Sequence, residues 1–216
     1  IDPILLFDPA TMPRRERDEP EAAAVRTARR AVELLQARDG DGYVLRVDLR
    51  LRPSPEVSPI AVPVGAAIAY YESSALTWER AAFIRARAAA GDVALGAGFL
   101  RSISPFIWRR SLDFGAIDEV RRLTRRIRNK QDGPATPAPG YNVKLGRGGI
   151  REIEFLVQTH QMIHGGRNPA LRVADTLSAL GNLAKAGIIS TETAQRLSAS
   201  YTALRTVEHR LQMVED

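Results

Sequence analysis

The sequence predicts a mostly α protein with a small mixed β-sheet, an α+β chain whose strand–helix–strand opening is followed by helices alone. Three observations predict it. Short runs near the start, residues 4–7 and the alternating stretch 43–52, carry the apolar pattern of strands. From residue 64 onward apolar residues recur at helical spacing. Clusters of Gly and Pro, densest at 131–142, punctuate the pattern. The 216 residues allow one or two domains, and a hydrophobic content of 44% is enough for a sizeable core.

Residues 4–7, Ile-Leu-Leu-Phe, read as a buried strand, and Pro3, with no amide donor, marks its start or an edge. Residues 8–18 form a charged loop. Pro20 opens a helix to about residue 38, with Ala24, Val25, Ala28, Ala31, Val32 and Leu35 at helical spacing. Asp39-Gly-Asp-Gly42 stops that helix and turns the chain into a strand over 43–52. Pro53, Pro55 and Pro59 then make 53–63 an extended loop. Helices follow over 64–73, 76–89, 92–102, 104–110 and 113–129, and 131–142 is a linker rich in Pro and Gly. A short extended piece at 142–145 and the turn Gly146-Arg-Gly-Gly149 lead into a helix over 150–164, stopped by Gly165-Gly166. Two more helices are expected at 175–186 and 191–214, the last capped by Ser190 or Thr191.

Bulk properties exclude several classes. No long uncharged apolar run is present, so no membrane partner is expected. The opening Ile1-Asp-Pro-Ile-Leu-Leu-Phe-Asp8 has no basic leader and no Met, and reads as the middle of a strand from a longer protein with no secretory signal. The absence of Cys excludes disulfides and fits a reducing, cytoplasmic setting. A net charge of +6 favours phosphate-bearing or acidic partners, although Arg-rich composition alone also produces it.

The alternation over 43–52 carries the chemistry. In a strand, Tyr43, Leu45, Val47, Leu49 and Leu51 share one face, and Val44, Arg46, Asp48, Arg50 and Arg52 the other. One carboxylate among three guanidiniums suits a place where a metal ion and phosphate groups are held together. Asp2 lies on the other candidate strand, and convergent carboxylates on adjacent strands are what Mg²⁺ needs alongside substrate phosphates. The alternative is a plain ion-pair network in which Asp48 balances Arg46 and Arg50. The turn at Gly146–Gly149, flanked by Lys144 and Arg147, opens a helix whose N–H groups can attract an anion, or it is only a turn leaving the linker. Glu154, near the apolar stripe of that helix, calls for a structural partner such as Arg147 or Arg151, or else it faces the nucleotide. His160 and His164, four apart, lack the further ligands of a zinc site. The basic run Arg121–Arg128 has no interleaved aromatic and reads as a solvated face, so nucleic acid is not an expected partner.

Several longer stretches go further. Arg46-Val-Asp-Leu-Arg-Leu-Arg-Pro53, Tyr70-Tyr-Glu72, Trp78-Glu-Arg-Ala81, Lys144-Leu-Gly-Arg-Gly-Gly-Ile-Arg-Glu-Ile-Glu-Phe155 and Val207-Glu-His-Arg-Leu-Gln212 resemble the family of bifunctional glutamine synthetase adenylyltransferase/adenylyl-removing enzymes, over nearly the whole chain. The resemblance implies a truncated nucleotidyltransferase-like sheet followed by a helical domain: a partial catalytic domain over 1–110, a basic helix and linker over 111–142, and a helical domain over 143–216. It implies that Asp2 and Asp48 are catalytic metal ligands for Mg²⁺, matching two of the three carboxylates of that superfamily, and that no residue of this chain matches the first. Pro3 stands where the family more often has Leu. The chain by itself is therefore expected to be inactive. Arg46, Arg50, Arg52, Lys144 and Arg147 are the expected contacts for nucleotide (ADP or ATP) and phosphate.

The wording from Lys144 to Phe155 resembles the adenylyl-removing half. The implied reaction is phosphorolysis of adenylyl-tyrosine on glutamine synthetase with release of ADP, with glutamine synthetase and a PII signal protein as partners. The alternatives are adenylylation or uridylylation of another protein on the same scaffold, or a docking and regulatory module without catalysis.

Overall fold

The computed structural model describes residues 1–40, 42, 43, 45–110, 118, 122, 125, 136 and 138–215. Strand β1 (Leu5–Phe7) leads to helix α1 (Pro20–Gln36), the two-residue strands β2 (Arg38–Asp39) and β3 (Gly42–Tyr43), and strand β4 (Ala61–Pro63). Helices α2 (Val64–Ser73), α3 (Thr77–Phe83), α4 (Val93–Ser102) and α5 (Ser104–Ile107) follow. Beyond residue 142 come α6 (Ile150–His164), a 3₁₀ turn at Pro169–Leu171, α7 (Thr176–Lys185) and α8 (Thr191–Glu215). The chain is thus mostly helical with a small sheet. The predicted basic helix over 113–129 and most of the 131–142 linker, with the run from Arg121 to Arg128, lie outside the described residues apart from single positions.

The chain divides into two compact units. The first comprises Ile1–Glu79 and Arg87–Phe106, the second Arg80–Ala86 and Ile107–Asp216.

In the first unit β1 and β4 run parallel, with Leu5 opposite Ala61, Leu6 opposite Val62 and Phe7 opposite Pro63. Parallel neighbours need a long crossover, and α1 lies within it. Pro20 begins α1 at a position where its missing amide costs nothing, and the small residues Ala24 and Ala28 let the helix close onto Phe7 and Ala61. Leu5, Met12, Val25 and Ile60 pack around that cluster. A second set of contacts centres on Tyr71, whose ring lies 5.9 Å from Phe99 and 5.6 Å from Phe106.

The second unit buries Ile153 and Val157 of α6 against Leu171, Ala179, Leu180 and Leu183, with Leu197, Tyr201 and Leu204 of α8 packed around them. The apolar stripe of α6 therefore meets two later helices, as helical spacing dictates. Ser190 caps α8 by accepting the Thr193 amide at 3.1 Å. Gly165 and Gly166 end α6 beside the 108–110 segment. A Cβ on Gly166 would stand 1.9 Å from the Arg109 carbonyl oxygen, so no larger residue fits there.

Several expectations change: the helix over 76–89 ends at Phe83, the one over 104–110 ends at Ile107, and the loop over 53–63 closes with strand β4. The long strand over 43–52 is not formed: only Gly42–Tyr43 is strand, and residues 45–49 belong to no strand. The cause is local. Asp48 turns its side chain back onto the Arg50 amide, which diverts that donor from a ladder. Leu45, Val47, Leu49 and Leu51 are only half-buried, while Arg46 and Arg50 are exposed, so the two-faced pattern survives in weaker form. The expected extended piece at 142–145 is a turn, because Asn142 accepts the amides of Lys144 and Leu145 on one carbonyl oxygen. No described helix is long and apolar enough to cross a membrane.

Candidate functional site

The first unit brings the start of the chain and the Arg46–Arg52 segment side by side. The Ile1 amine donates to the Arg46 carbonyl at 2.6 Å, and the Asp48 amide donates to the Ile1 carbonyl at 2.8 Å. One residue bonded to partners two apart is the pattern of a parallel pair, here with Ile1 opposite Val47. Asp2 follows Ile1 directly, so its backbone lies beside that of Asp48, and Pro3, with no N–H, cannot supply the next bond of such a pair. Asp2 is exposed and Asp48 half-exposed.

Asp48 is gripped by Arg50. Its Oδ1 accepts from the Arg50 Nε at 2.9 Å and from the Arg50 amide at 3.0 Å. Its Oδ2 accepts from the same Nε at 2.8 Å and from the terminal Nη2. The guanidinium hydrogen bond, then the Arg50 amide, and more weakly the charges of Arg50 and Arg46 hold the carboxyl down at about 2. Asp48 is therefore a carboxylate at any neutral pH. The charge of Asp2 acts on the Arg50 guanidinium in turn.

Of the three arginines expected to face phosphate, Arg52 is engaged with its own loop. Its guanidinium donates to the Leu49 carbonyl at 2.8 Å, the Pro55 carbonyl at 2.6 Å and, at 3.4 Å, the Ser58 carbonyl. Pro53, Pro55 and Pro59 have no N–H, so carbonyls in this segment find few backbone donors, and Arg52 supplies them. It is a structural clasp for the loop rather than a free anion contact. The Tyr71 hydroxyl reaches the Leu51 carbonyl at 3.4 Å from the α2 side.

A buried acid near that loop was not singled out from the sequence. Glu79, 5% exposed, accepts the Tyr70 hydroxyl at 3.1 Å and the Leu76 amide at 2.6 Å. Burial pushes its carboxyl up, and the two hydrogen bonds only partly offset this. Burial and the Glu79 charge likewise raise the Tyr70 phenol, while Ser54 opposes the rise. Ser54 itself has φ 45°, a left-handed conformation rare outside Gly. A Glu three residues into a short helix beside an aromatic pair was the available signal, but burial of an acid is the exception among residue types.

Lys144 and Arg147 belong to the second unit. Lys144 pairs with the buried Glu208 at 3.1 Å, and Glu208 also pairs with Arg205. Arg147 is exposed, and its carbonyl accepts the Tyr141 hydroxyl. The amides at the start of α6 are engaged within the protein. Gly148 donates to Glu152 at 3.0 Å, Gly149 to the Gly146 carbonyl, Ile150 to the Val143 carbonyl and Arg151 to the Lys144 carbonyl. The Gly146–Gly149 turn is thus a closed cap in this arrangement, and the amides expected to draw an anion are already donating. Gly146 is required because a Cβ there would lie 2.5 Å from the Asn142 carbonyl and 2.8 Å from the Tyr141 ring.

Glu154 is paired with Arg151, one of the two expected partners, and with two groups that were not expected. Arg151 reaches one oxygen at 3.1 Å, and the other takes Arg85 at 3.0 Å and the Tyr201 hydroxyl at 3.1 Å. His160 and His164 stack with centroids 5.9 Å apart. Among the described residues no group of three or more His, Cys, Asp or Glu is placed to hold a metal, so any metal at Asp2 and Asp48 would rely on further oxygens.

Comparison with known proteins gives consistent findings. A family model described as glutamate-ammonia ligase adenylyltransferase matches residues 1–102, and one described as GlnD PII-uridylyltransferase matches residues 116–216. The bifunctional glutamine synthetase adenylyltransferase/adenylyl-removing enzyme of Caulobacter vibrioides is 52% identical over 216 residues. The proteins of the same name from Rhizobium meliloti and Bradyrhizobium sp. (strain BTAi1 / ATCC BAA-1182) are 49% and 48% identical. Each alignment covers 100% of this chain and 22% of the relative, so the chain spans about a fifth of the length of these curated relatives.

Proposed function

Because this chain belongs to the family of bifunctional glutamine synthetase adenylyltransferase/adenylyl-removing enzymes, we propose that it serves the removal of AMP from an adenylylated tyrosine of glutamine synthetase by phosphorolysis. An oxygen of inorganic phosphate bonds to the phosphorus of the AMP–tyrosine diester. The bond from phosphorus to the tyrosyl oxygen breaks, that oxygen takes a proton, and ADP leaves. The central difficulty is electrostatic, since an anion must approach an anion, and preorganised positive charge is the remedy. The setting proposed is the cytoplasm, with glutamine synthetase as substrate protein and a PII signal protein as regulator.

The observation that supports this reading is the pairing of Ile1 with Arg46 and Asp48, which brings the backbone next to Asp2 alongside the segment that carries Asp48. Asp48, kept ionised by Arg50, and the exposed Asp2 form a hard oxygen donor set of the kind Mg²⁺ takes. When bound there, Mg²⁺ would supply neutralisation of charge on the phosphorus oxygens. The chain's own part is to hold two carboxylates and to offer Arg46 and Arg50 to phosphate oxygens, Arg50 being bidentate by geometry. Arg52 keeps the following loop in place. Lys144, through Glu208, keeps the α6 turn in place in its own unit, and Arg147 is an exposed cation beside it.

The test uses the full-length protein that contains this chain, with adenylylated glutamine synthetase, Mg²⁺ and inorganic phosphate. Phosphate-dependent ADP release is expected, and Asp48→Asn should lower it by about a hundredfold or more, the scale seen when a charge-stabilising group is lost. Absence of phosphate-dependent ADP in the unsubstituted protein overturns the reaction. Unchanged turnover in Asp48→Asn overturns the role of that residue.

A second reading rests on the match of residues 116–216 to the PII-uridylyltransferase model. On that reading the scaffold transfers a uridylyl group from UTP to a PII protein. Labelled UTP incubated with PII decides it: label on PII favours uridylylation, and ADP release without label favours phosphorolysis.

A further inference from the structure

Arg50 is held in a manner unlike its two neighbours. Arg52 is bound to several carbonyls of its own loop and cannot leave without opening it. Arg46 is exposed. Arg50 closes over both oxygens of Asp48, yet its side chain is 85% exposed against 28% for Asp48. Among the described residues its guanidinium has no other hydrogen-bond partner. The grip is therefore complete but held at one end only. An exposed ion pair of this kind is weak, so the arm can be displaced by a stronger cation.

We infer that Arg50 is a substrate-binding residue with two alternating partners: without a divalent cation it covers the Asp48 carboxylate, and cation binding at Asp48 releases it to the phosphate group of the substrate. The inference rests on the metal reading of Asp2 and Asp48 given above. A divalent cation needs the same Asp48 lone pairs that the guanidinium now uses, so the two compete directly. The displaced guanidinium stays tethered two residues away, beside the place where a phosphate oxygen meets the cation. Cation entry and anion capture are then coupled, with each favouring the other. The hydrogen bond that the Arg50 backbone N–H donates to Asp48 Oδ1 remains and keeps the carboxylate aimed while the side chain moves.

Mn²⁺ binding to the full-length protein, followed by the electron paramagnetic resonance of free Mn²⁺ without nucleotide, tests this. Arg50→Lys keeps the charge but cannot cover two oxygens, and it should bind Mn²⁺ about fivefold more tightly than the unsubstituted protein. Arg46→Ala removes a neighbouring charge without touching the fork and should have a smaller effect than Arg50→Lys. With Mn²⁺ present, Arg50→Ala should weaken inorganic phosphate binding; without Mn²⁺ it should change phosphate binding little. If Asp48→Asn abolishes Mn²⁺ binding while Arg50→Lys leaves the affinity unchanged, the Arg50 inference alone is overturned. If Asp48→Asn binds Mn²⁺ as well as the unsubstituted protein, the metal reading falls and takes the inference with it.

Discussion

Single side chains in this chain show how a charge is made tolerable or useful. Glu79 and Asp48 are both acids within hydrogen-bond reach of donors, but burial dominates one and a guanidinium the other, so their carboxyls move in opposite directions. For Glu79 the raised value means that the folded protein holds the proton more readily than the unfolded chain does. Its contribution to stability is fullest below the unfolded value and is lost as pH rises through the folded one. Glu79→Gln cannot ionise and should flatten that decline. Urea midpoints measured between about pH 4 and 7 should fall with pH in the unsubstituted protein more steeply than in the variant. Equal slopes would remove the assignment. The sequence hid this residue because nothing in its spacing separates a buried acid from a solvated one. It hid the work of Arg52 for a related reason: alternation says which side a guanidinium starts from, and only the folded loop says which carbonyls it reaches.

Helices were readable where their ends carried chemistry. Val64–Ser73 and Ile150–His164 match the expected spans, bounded by Pro63 and by Gly149 and Gly165. Helix α7 begins where Asp175 accepts the Ser178 amide at 2.6 Å. That bond is the chief reason its carboxyl is held below the usual range, so the cap stabilises above the unfolded value and is lost as pH falls through the folded one. Asp175→Ala should cost about 1 kcal/mol by urea titration at neutral pH, with the difference shrinking in acid. A pH-independent difference would point to packing rather than capping. The strand over 43–52 was the failure at this scale. Period-two alternation reports facing, and it cannot reveal that Asp48 will spend an acceptor on the Arg50 amide, or that three prolines downstream will deny the ladder its donors.

Across the molecule, the two units each carry their own core, and nothing in the residue spacing signals that Arg80–Ala86 groups with the later helices rather than with its neighbours. Glu154 is the reason within the second unit. It joins Arg85 from that segment, Arg151 of α6 and Tyr201 of α8, and Arg85 also donates to Thr176 of α7 at 2.6 Å. Removing Glu154 takes the acceptor from Tyr201, Arg85 and Arg151, and because both guanidiniums are partly exposed and can be rehydrated the cost is about 1–3 kcal/mol. Glu154→Ala should therefore destabilise the second unit by that order, read as loss of amide-exchange protection in α6, α7 and α8 together. Loss confined to α6 would contradict a shared anchor. For the candidate site, resemblance named the partner for Asp48, while spacing alone left metal binding and a plain ion-pair network undecided. The pairing of Ile1 with Arg46 and Asp48 could not be read from either strand in isolation.

The Arg52 clasp has a bearing on how this stretch tolerates change over time. A turn with several prolines ordinarily depends on its surroundings for donors, yet this one brings its own on a single planar side chain. Lysine, with a point charge and a flexible stem, cannot span the same carbonyls at once. Drift at position 52 should therefore be far narrower than at the exposed positions 46 and 50, even though all three look alike on the page, and a transplanted copy of residues 49–58 should keep its shape in a foreign host only if that guanidinium travels with it.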